Sequence, residues 1–413
     1  KNKTINYRAL GSIFLFDNNC FQESLITNVF KLLPGNQIIY SDYSLKINNW
    51  FNINSIKSKS NKSSYYLKED LNDVLKKSIL RQSKTEVPTC VFFSGGIDSS
   101  LISHYSLKEN SEIKLFSFLP SSITSNNNDI LNAKERADLL GAVNFEYLSF
   151  DDSNLNKYLD LYSEKMYEPT SDAAIIPTMF LSDIAKKQGF KVVLTGDGSD
   201  ELFGGYSRYK FLANYSKISN LSKLINTINN KKIIGRLLNS KYARIINLLS
   251  CVNSSKELYS QLLSVENIFL NETRDFMQLS SQLKSEVINQ HSTFLETPKK
   301  ITNFSMYDFF SKADFRNLLP NQYLPKVDSA TMIYSLEARV PFLDDEVVNF
   351  VFGNRENLIL PKIKLKPSIN KLAKNVLPKA FTNISKQGYG SPIRSWLRGP
   401  LYDYLHSIKI KDF

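Results

Sequence analysis

Two glycine-rich turns in this chain carry acids whose charge local folding alone does not explain. The first is Ser94-Gly95-Gly96-Ile97-Asp98-Ser99-Ser100, preceded by the apolar run Val91-Phe92-Phe93 and followed by a helical pattern through Leu101, Ile102, Tyr105 and Leu107. A buried strand that feeds a helix through such a turn leaves backbone N–H groups and the positive helix end facing an anion. Gly95 and Gly96 let that anion approach the backbone, and the hydroxyls of Ser94, Ser99 and Ser100 add donors. Asp98 repels the same anion unless a cation lies between them, which points to Mg²⁺. A Gly-Lys-Ser/Thr ending is absent, so the turn departs from the Walker phosphate loop. The second turn, Leu194 to Tyr206, gathers Asp197, Asp200 and Glu201 among Gly196, Gly198, Gly204 and Gly205. Glycine adds unfolded-state entropy and clustered carboxylates repel, a cost that a metal-bound triphosphate relieves. Asp98 and Asp200, approaching across adjacent strand ends, are the candidate metal ligands. Asp197 is placed to accept a proton from an incoming amine.

The elements that must hold these turns follow from periodicity. Leu67 to Gln82 is amphipathic with a helical repeat, and strand and helix signals then alternate. Strands are expected at Val87–Phe93, Ile113–Leu119, Val143–Phe150 and, last, Lys191–Leu194. Helices are expected at Ser99–Lys108, Ile130–Leu140, Leu155–Met166 and Ala173–Lys187. Such alternation implies an α/β fold, a doubly wound parallel sheet with its ligand beyond the carboxyl ends of the strands. From Phe211 to about Glu356 the pattern is mostly helical. Upstream, Leu32-Leu33-Pro34-Gly35-Asn36 turns into a short strand at Gln37–Tyr40, with a possible partner near Ser44–Phe51, and Asn52 to Ser64 reads as a linker.

With 413 residues the chain has room for two or three domains. No apolar run approaches the roughly 20 residues that span a membrane. The net charge of +12 is spread among asparagines and serines rather than concentrated in a block, which favours a solvated surface over a nucleic-acid or membrane partner. Cys20, Cys90 and Cys251 match no paired metal spacing and fit a reducing cytoplasm, with Cys90 a small buried residue. His104, His291 and His406 are scattered, so a histidine metal site or hydrolytic triad is poorly supported.

The first turn resembles the pyrophosphate loop of enzymes that split ATP between its α and β phosphates. Together, Ser-Gly-Gly-Ile-Asp-Ser-Ser at 94–100 and Gly-Asp-Gly-Ser-Asp-Glu-Leu-Phe-Gly-Gly-Tyr at 196–206 resemble the signature of the synthetase domain of glutamine-dependent asparagine synthetases. Lys326-Val327-Asp328-Ser329-Ala330-Thr331-Met332, Ser335-Leu336-Glu337-Ala338-Arg339-Val340-Pro341-Phe342-Leu343-Asp344, and Ser385-Lys386-Gln387-Gly388-Tyr389-Gly390-Ser391-Pro392 with Trp396-Leu397 continue it in order. The resemblance implies an ATP-pyrophosphatase-type sheet with a mostly helical C-terminal part. It further implies ATP and Mg²⁺ as cofactors, adenylation of the aspartate side chain with loss of pyrophosphate, and attack by ammonia to give asparagine and AMP. It places Ser94, Gly95, Gly96, Asp98, Ser99, Ser100, Gly196 and Gly198 on the nucleotide and pyrophosphate, Asp98 and Asp200 on the metal, and Asp197 beside the intermediate. Lys386 matches the lysine that neutralises charge on the α-phosphate. Arg339 and Asp344 are expected to form a structural ion pair, and Glu337 is a candidate on the substrate side.

Leu32-Leu33-Pro34-Gly35, with Tyr40 and Trp50, looks like the tail of the family's glutaminase domain. Residues 1–60 are therefore read as that tail and linker, and 61–413 as a synthetase domain clipped at its C-terminus. In this reading the chain is a piece of a cytoplasmic amidotransferase, with small-molecule substrates and a homodimer left open. The same motifs serve relatives that act on sugar carboxylates or close macrolactams and β-lactams. A tRNA-modifying ATP pyrophosphatase would lead one to expect a cysteine pair or an RNA-binding module.

Overall fold

A computed structural model of the chain describes residues 4–56, 66–120, 128–170, 172–212, 214, 255, 258–259, 263, 303–359, 365–383 and 391–407. The chain divides into two compact units. One comprises Lys1–Ser58, Asp200–Gln322 and Phe352–Lys366, the other Lys59–Ser199, Tyr323–Val351 and Pro367–Phe413. Among the described residues the strands are β1 (Asn36–Ser41), β2 (Ser44–Asn49), β3 (Thr89–Phe92), β4 (Lys114–Pro120), β5 (Phe145–Phe150), β6 (Val192–Leu194) and β7 (Glu337–Arg339).

The second unit is built on a five-stranded sheet in the order β5-β4-β3-β6-β7, parallel throughout. Cys90, Val91, Leu115, Phe116, Val193 and Leu194 are wholly buried, as expected of strands covered on both faces. The chain starts at β3, winds outward through β4 and β5, then returns to the other side of β3 for β6 and β7. This is the doubly wound α/β arrangement, and its switch point lies between β3 and β6. Helices Tyr66–Ser83, Ile97–Glu109, Asn128–Leu139, Leu155–Lys165 and Ile175–Lys187 fall where the periodicity placed them, within a few residues. Beyond Phe211 the described segments are largely helical, as expected, while most of 213–302 lies outside the described residues, Cys251 and His291 included.

Lys191–Leu194 is not the last strand of the sheet. Three residues, Glu337 to Arg339, pair with β6 as an edge strand. A segment this short gives no alternation to read. Its register sets Glu337 opposite Val192, at the amino end of β6, and therefore away from the carboxyl ends where the glycine turns sit. The Glu337 side chain is 59% exposed and accepts from Arg339 Nε at 2.7 Å, so Glu337 is not placed on the substrate side. The expected Arg339–Asp344 pair does not form either. Residues two apart on a strand share a face, which gives Arg339 to Glu337. Asp344 lies past the Pro341–Leu343 turn and binds Arg81 Nη2 through both oxygens at 2.6 Å.

Near the end of this unit Trp396 is buried to 1% exposure against Phe150, with ring centroids 5.6 Å apart, and its Nε1–H donates to Asp152 Oδ1 at 2.9 Å. The indole thereby fills an apolar cluster with Phe118, Tyr158 and Phe180 while its one polar atom stays paired.

The first unit opens with helix Tyr7–Phe16. The Asn6 side chain accepts from the backbone N–H groups of Arg8 and Ala9 at 3.1 and 3.3 Å, and Asp17 closes the helix in the left-handed conformation. Leu15 and Phe16 pack with Cys20 and Phe21. β1 and β2 form the expected antiparallel hairpin, joined by Asp42 and Tyr43 at φ 49° and 58°, the mirror-type turn that matches strand twist. Ile53, inside the segment read as a linker, is buried, and residues 57–65 lie outside the described residues. A second node is the fully buried Asp314, which binds Arg208 Nη2 at 2.6 Å and accepts from the hydroxyls of Tyr209 and Tyr259.

Glu201, in the same unit, is buried and held by the Tyr206 hydroxyl, while its own carbonyl accepts from Ser311 Oγ at 2.6 Å. Burial and then the neighbouring Asp200 charge push its carboxyl up to about 7 from an ordinary 4.5. Between these values the unfolded chain has released a proton that the folded chain keeps. Stability therefore falls as pH rises across that window, by about 3 kcal/mol. Urea denaturation at pH 4.5 to 7.5 should show this decline, and Glu201→Gln should flatten it. Trp396→Ala should cost about 3–5 kcal/mol, read as a lower urea midpoint. The same change should leave only the red-shifted emission of Trp50, which is 62% exposed.

Candidate active site

The two glycine turns meet at the switch point. β3 ends at Phe92 and hands the chain to the helix at Ile97, whose N-cap, Gly96, has no side chain to cap it. The first-turn amides of Ile97, Asp98 and Ser99 therefore have no intrahelical acceptors. Ser94 Oγ organises the loop, lying 3.1 Å from Ser99 Oγ and accepting from Gly96 N at 3.3 Å, while Ser99 Oγ donates to the Gly96 carbonyl at 3.1 Å. Gly95 adopts φ 72°, and a Cβ there would lie 3.3 Å from both the Ala133 Cα and Arg136 Nη1. Arg136 Nη1 donates to the Gly95 carbonyl at 3.0 Å.

The second turn follows β6, the neighbour of β3. Ser199 Oγ donates to Asp98 Oδ1 at 2.7 Å, tying the two turns together. Gly196 lies so close that a Cβ on it would come within 3.2 Å of Asp98 Cβ. Gly198, at φ 85°, faces Leu343, whose Cδ2 would be 2.3 Å from any Cβ. Ser94, Asp98 and Asp197 are partly exposed, whereas Ser99, Ser100, Gly95, Gly198 and Ser199 are buried. The hydroxyls of Ser100 and Thr195, which flank the two turns, are buried with no hydrogen-bond partner.

Asp200 begins the other unit, one residue after Ser199. There Lys366 Nζ stands 2.7 Å from Asp200 Oδ1, its side chain 9% exposed. Gly205 leaves the space in which they meet, since a Cβ on it would overlap Asp200 Oδ1 and Lys366 Cε. Lys386 lies outside the described residues, as do Gln387 to Gly390; Ser391, just beyond, donates from Oγ to the Ala173 carbonyl at 2.6 Å.

The residues present suit a metal–polyphosphate group. The glycines let both turns pack closely, the first-turn amides lack intrahelical acceptors, and two buried hydroxyls stand unpaired. Among the described residues no three His, Cys, Asp or Glu side chains gather around one point. A cation beside Asp98 would therefore draw on phosphate oxygens to complete its shell, the usual way proteins hold Mg²⁺. Burial, with Lys108 nearby, holds the His104 pKa down at about 4.

Sequence reasoning singled out Ser94, Ser99 and Ser100 with the glycines and acids of the two turns, but missed Ser199, Arg136 and Lys366. Arg136 reads as one more polar position on an amphipathic helix. Lys366 is one of several lysines between 362 and 374, and only the fold singles it out.

The chain matches the family described as asparagine synthase over residues 70–412. It is similar to asparagine synthetase (glutamine-hydrolyzing) 1 of Bacillus subtilis, 26% identical over 415 residues, covering 98% of this chain and 62% of that protein. It is also similar to the root asparagine synthetase (glutamine-hydrolyzing) of Pisum sativum, 32% identical over 182 residues, covering 42% of this chain and 30% of that protein. The chain thus spans less than two thirds of the length of either relative. A solved structure, the NH3-dependent NAD synthetase from Campylobacter jejuni, aligns at 17% identity over 46% of this chain and 94% of its own. Its TM-score of 0.24 is too low to bear on fold or function. Four ordered motifs, the turns at the switch point and the match over 70–412 agree: this chain belongs to the asparagine synthase family.

Proposed function

We propose that the chain adenylates a carboxylate with ATP, releases pyrophosphate, and lets ammonia attack the acyl-adenylate to form an amide and AMP. Aspartate is the acceptor we favour, giving asparagine. In a longer protein of the length its relatives have, glutamine would supply the ammonia. The observation that carries this reading is the coupling of the two turns through Ser199 and Asp98 at the switch point. A phosphate loop alone needs no acid, whereas a loop that holds a departing pyrophosphate through a metal does.

In this mechanism Ser94, Ser99 and Ser100 donate hydroxyls to the pyrophosphate, and Gly95 and Gly96 admit it to the helix amides. Gly196 and Gly198 keep the second turn close to the nucleotide. Asp98 would hold Mg²⁺ together with phosphate oxygens, and the ion when bound supplies the charge that offsets the phosphates. Ser199 keeps the Asp98 carboxylate oriented, and Arg136 fixes the Gly95 carbonyl so that the loop amides keep their direction. Asp197 accepts the proton that the attacking ammonia must lose. Lys386 meets the negative charge that builds on the α-phosphate, the placement at which a cation most favours a transition state.

Asp98→Ala should abolish aspartate-dependent pyrophosphate release with ammonium as nitrogen donor, and an unaffected rate would sink the metal assignment. Ser199→Ala removes an orienting bond to a charged group worth about 1.5–3 kcal/mol. It should slow pyrophosphate release roughly 10- to 100-fold while leaving the fold intact by circular dichroism. A screen of carboxylates in the same assay tests the acceptor: release that ignores aspartate but answers to another acid would retain adenylation and discard asparagine synthesis.

A further inference from the structure

A second pair of charges lies at the ligand end of the same sheet. Helix Ile175–Lys187 leads into β6 and helix Leu324–Met332 leads into β7. Both helices run against their strands, so their first turns sit at the carboxyl ends, with Asp98 and Gly196. Asp172 precedes the first helix and its Oδ1 accepts from Ala174 N at 3.0 Å. Lys326 is in the first turn of the second helix, and its Nζ lies 2.8 Å from Asp172 Oδ2, the side chains 10% and 20% exposed. The ammonium also stands 5.4 Å from the centre of the Tyr323 ring. The loop that carries Asp172 is fixed on both sides. Tyr162 OH donates to the Thr170 carbonyl at 3.0 Å and accepts from Thr170 N at 2.7 Å, and Ser391 holds the Ala173 carbonyl.

A nearly buried ion pair is a poor source of stability, because desolvation offsets the attraction and apolar packing does as well. Its position at the carboxyl ends points to another use. An incoming group with a single charge would take one partner and leave the other without its counter-charge in a nearly buried place. A zwitterion supplies both signs at once, so neither charge is stranded. From this geometry we infer that Lys326 and Asp172 determine acceptor specificity. Lys326 takes the α-carboxylate and Asp172 the α-ammonium of an amino acid, whose side-chain carboxylate is left to react. The inference rests on the adenylation reading above and adds to it the residues that recognise the unreactive end of the acceptor.

The test is pyrophosphate release by the full chain with ATP, Mg²⁺ and ammonium chloride, using three acceptors. Aspartate has both α-groups, succinate lacks the ammonium, and 3-aminopropanoate lacks the α-carboxylate. The parent chain should prefer aspartate to both analogues. Asp172→Asn should raise the aspartate KM about 10- to 100-fold, with kcat within about threefold, and erase the preference over succinate. Lys326→Met should do the same for 3-aminopropanoate, and Lys326→Arg should restore part of the loss. Titration calorimetry with aspartate gives the same ranking without turnover and serves any variant that binds but does not react. An aspartate KM within twofold of the parent in folded variants overturns the inference and leaves adenylation standing. So does a kcat loss at unchanged KM. A parent chain driven by a sugar acid but by no amino acid likewise overturns it alone. A parent chain whose pyrophosphate release answers to no carboxylate overturns the adenylation reading as well.

Discussion

The close approach of β3 and β6 at their carboxyl ends governs the geometry of the site. Parallel pairing sets the Cα of Val91 opposite Leu194, and the chain beyond each strand must then turn within reach of the other. Glycine at 196 eases this approach, because a Cβ there would lie 3.2 Å from Asp98 Cβ. Once the turns are that close, a hydroxyl on one can hold a carboxylate on the other, and Ser199 does so. The two motifs are a hundred residues apart in sequence and adjacent in space for reasons of sheet topology alone. Strand order determines this proximity, and the glycines make it sterically admissible.

Around these turns, the carboxylates are held by specific partners. Asp98 accepts from the Ser199 hydroxyl. Asp200 has Lys366 beside it, Asp172 has Lys326, and Asp314 has Arg208. The pairs differ in their access to solvent. The Asp314 side chain is closed off completely and belongs to the fold. Those of Asp200 and Asp172 retain 25% and 20% exposure.

Much of this architecture was legible from periodicity and turn chemistry. The strands and helices from 66 to 194 announce themselves by alternating apolar patterns, and the glycine turns mark the carboxyl ends of two neighbouring strands. Two short strands were also legible near 37–40 and 44–51, and the structure joins them in a hairpin at 36–49. Helix Tyr7–Phe16 was not legible, because Gly11, Ile13 and the aromatic residues Phe14 and Phe16 weaken the helical signal. Its evidence is the Asn6 cap, which means little until the helix is known. β7 was hidden by its three-residue length, and with it went the partners of Glu337, Arg339 and Asp344. The long-range contacts of Arg136, Lys366 and the Asp172–Lys326 pair left no mark on local pattern. Nothing in the residues beside Lys326 distinguishes a lysine that meets an aspartate 154 positions away.

Gly198 has a consequence for how this sequence can change. Its missing side chain is the space that Leu343 fills, at a backbone angle few other residues adopt. The acidic turn and the Pro-Phe-Leu-Asp segment therefore form one steric unit, although 144 residues separate them in the chain. Drift at one position closes off routes at the other, so the two should vary together or not at all across related sequences. A redesign that reshapes the neighbourhood of Leu343 would disturb the glycine turn with it, so the two segments are in this sense a single inherited trait.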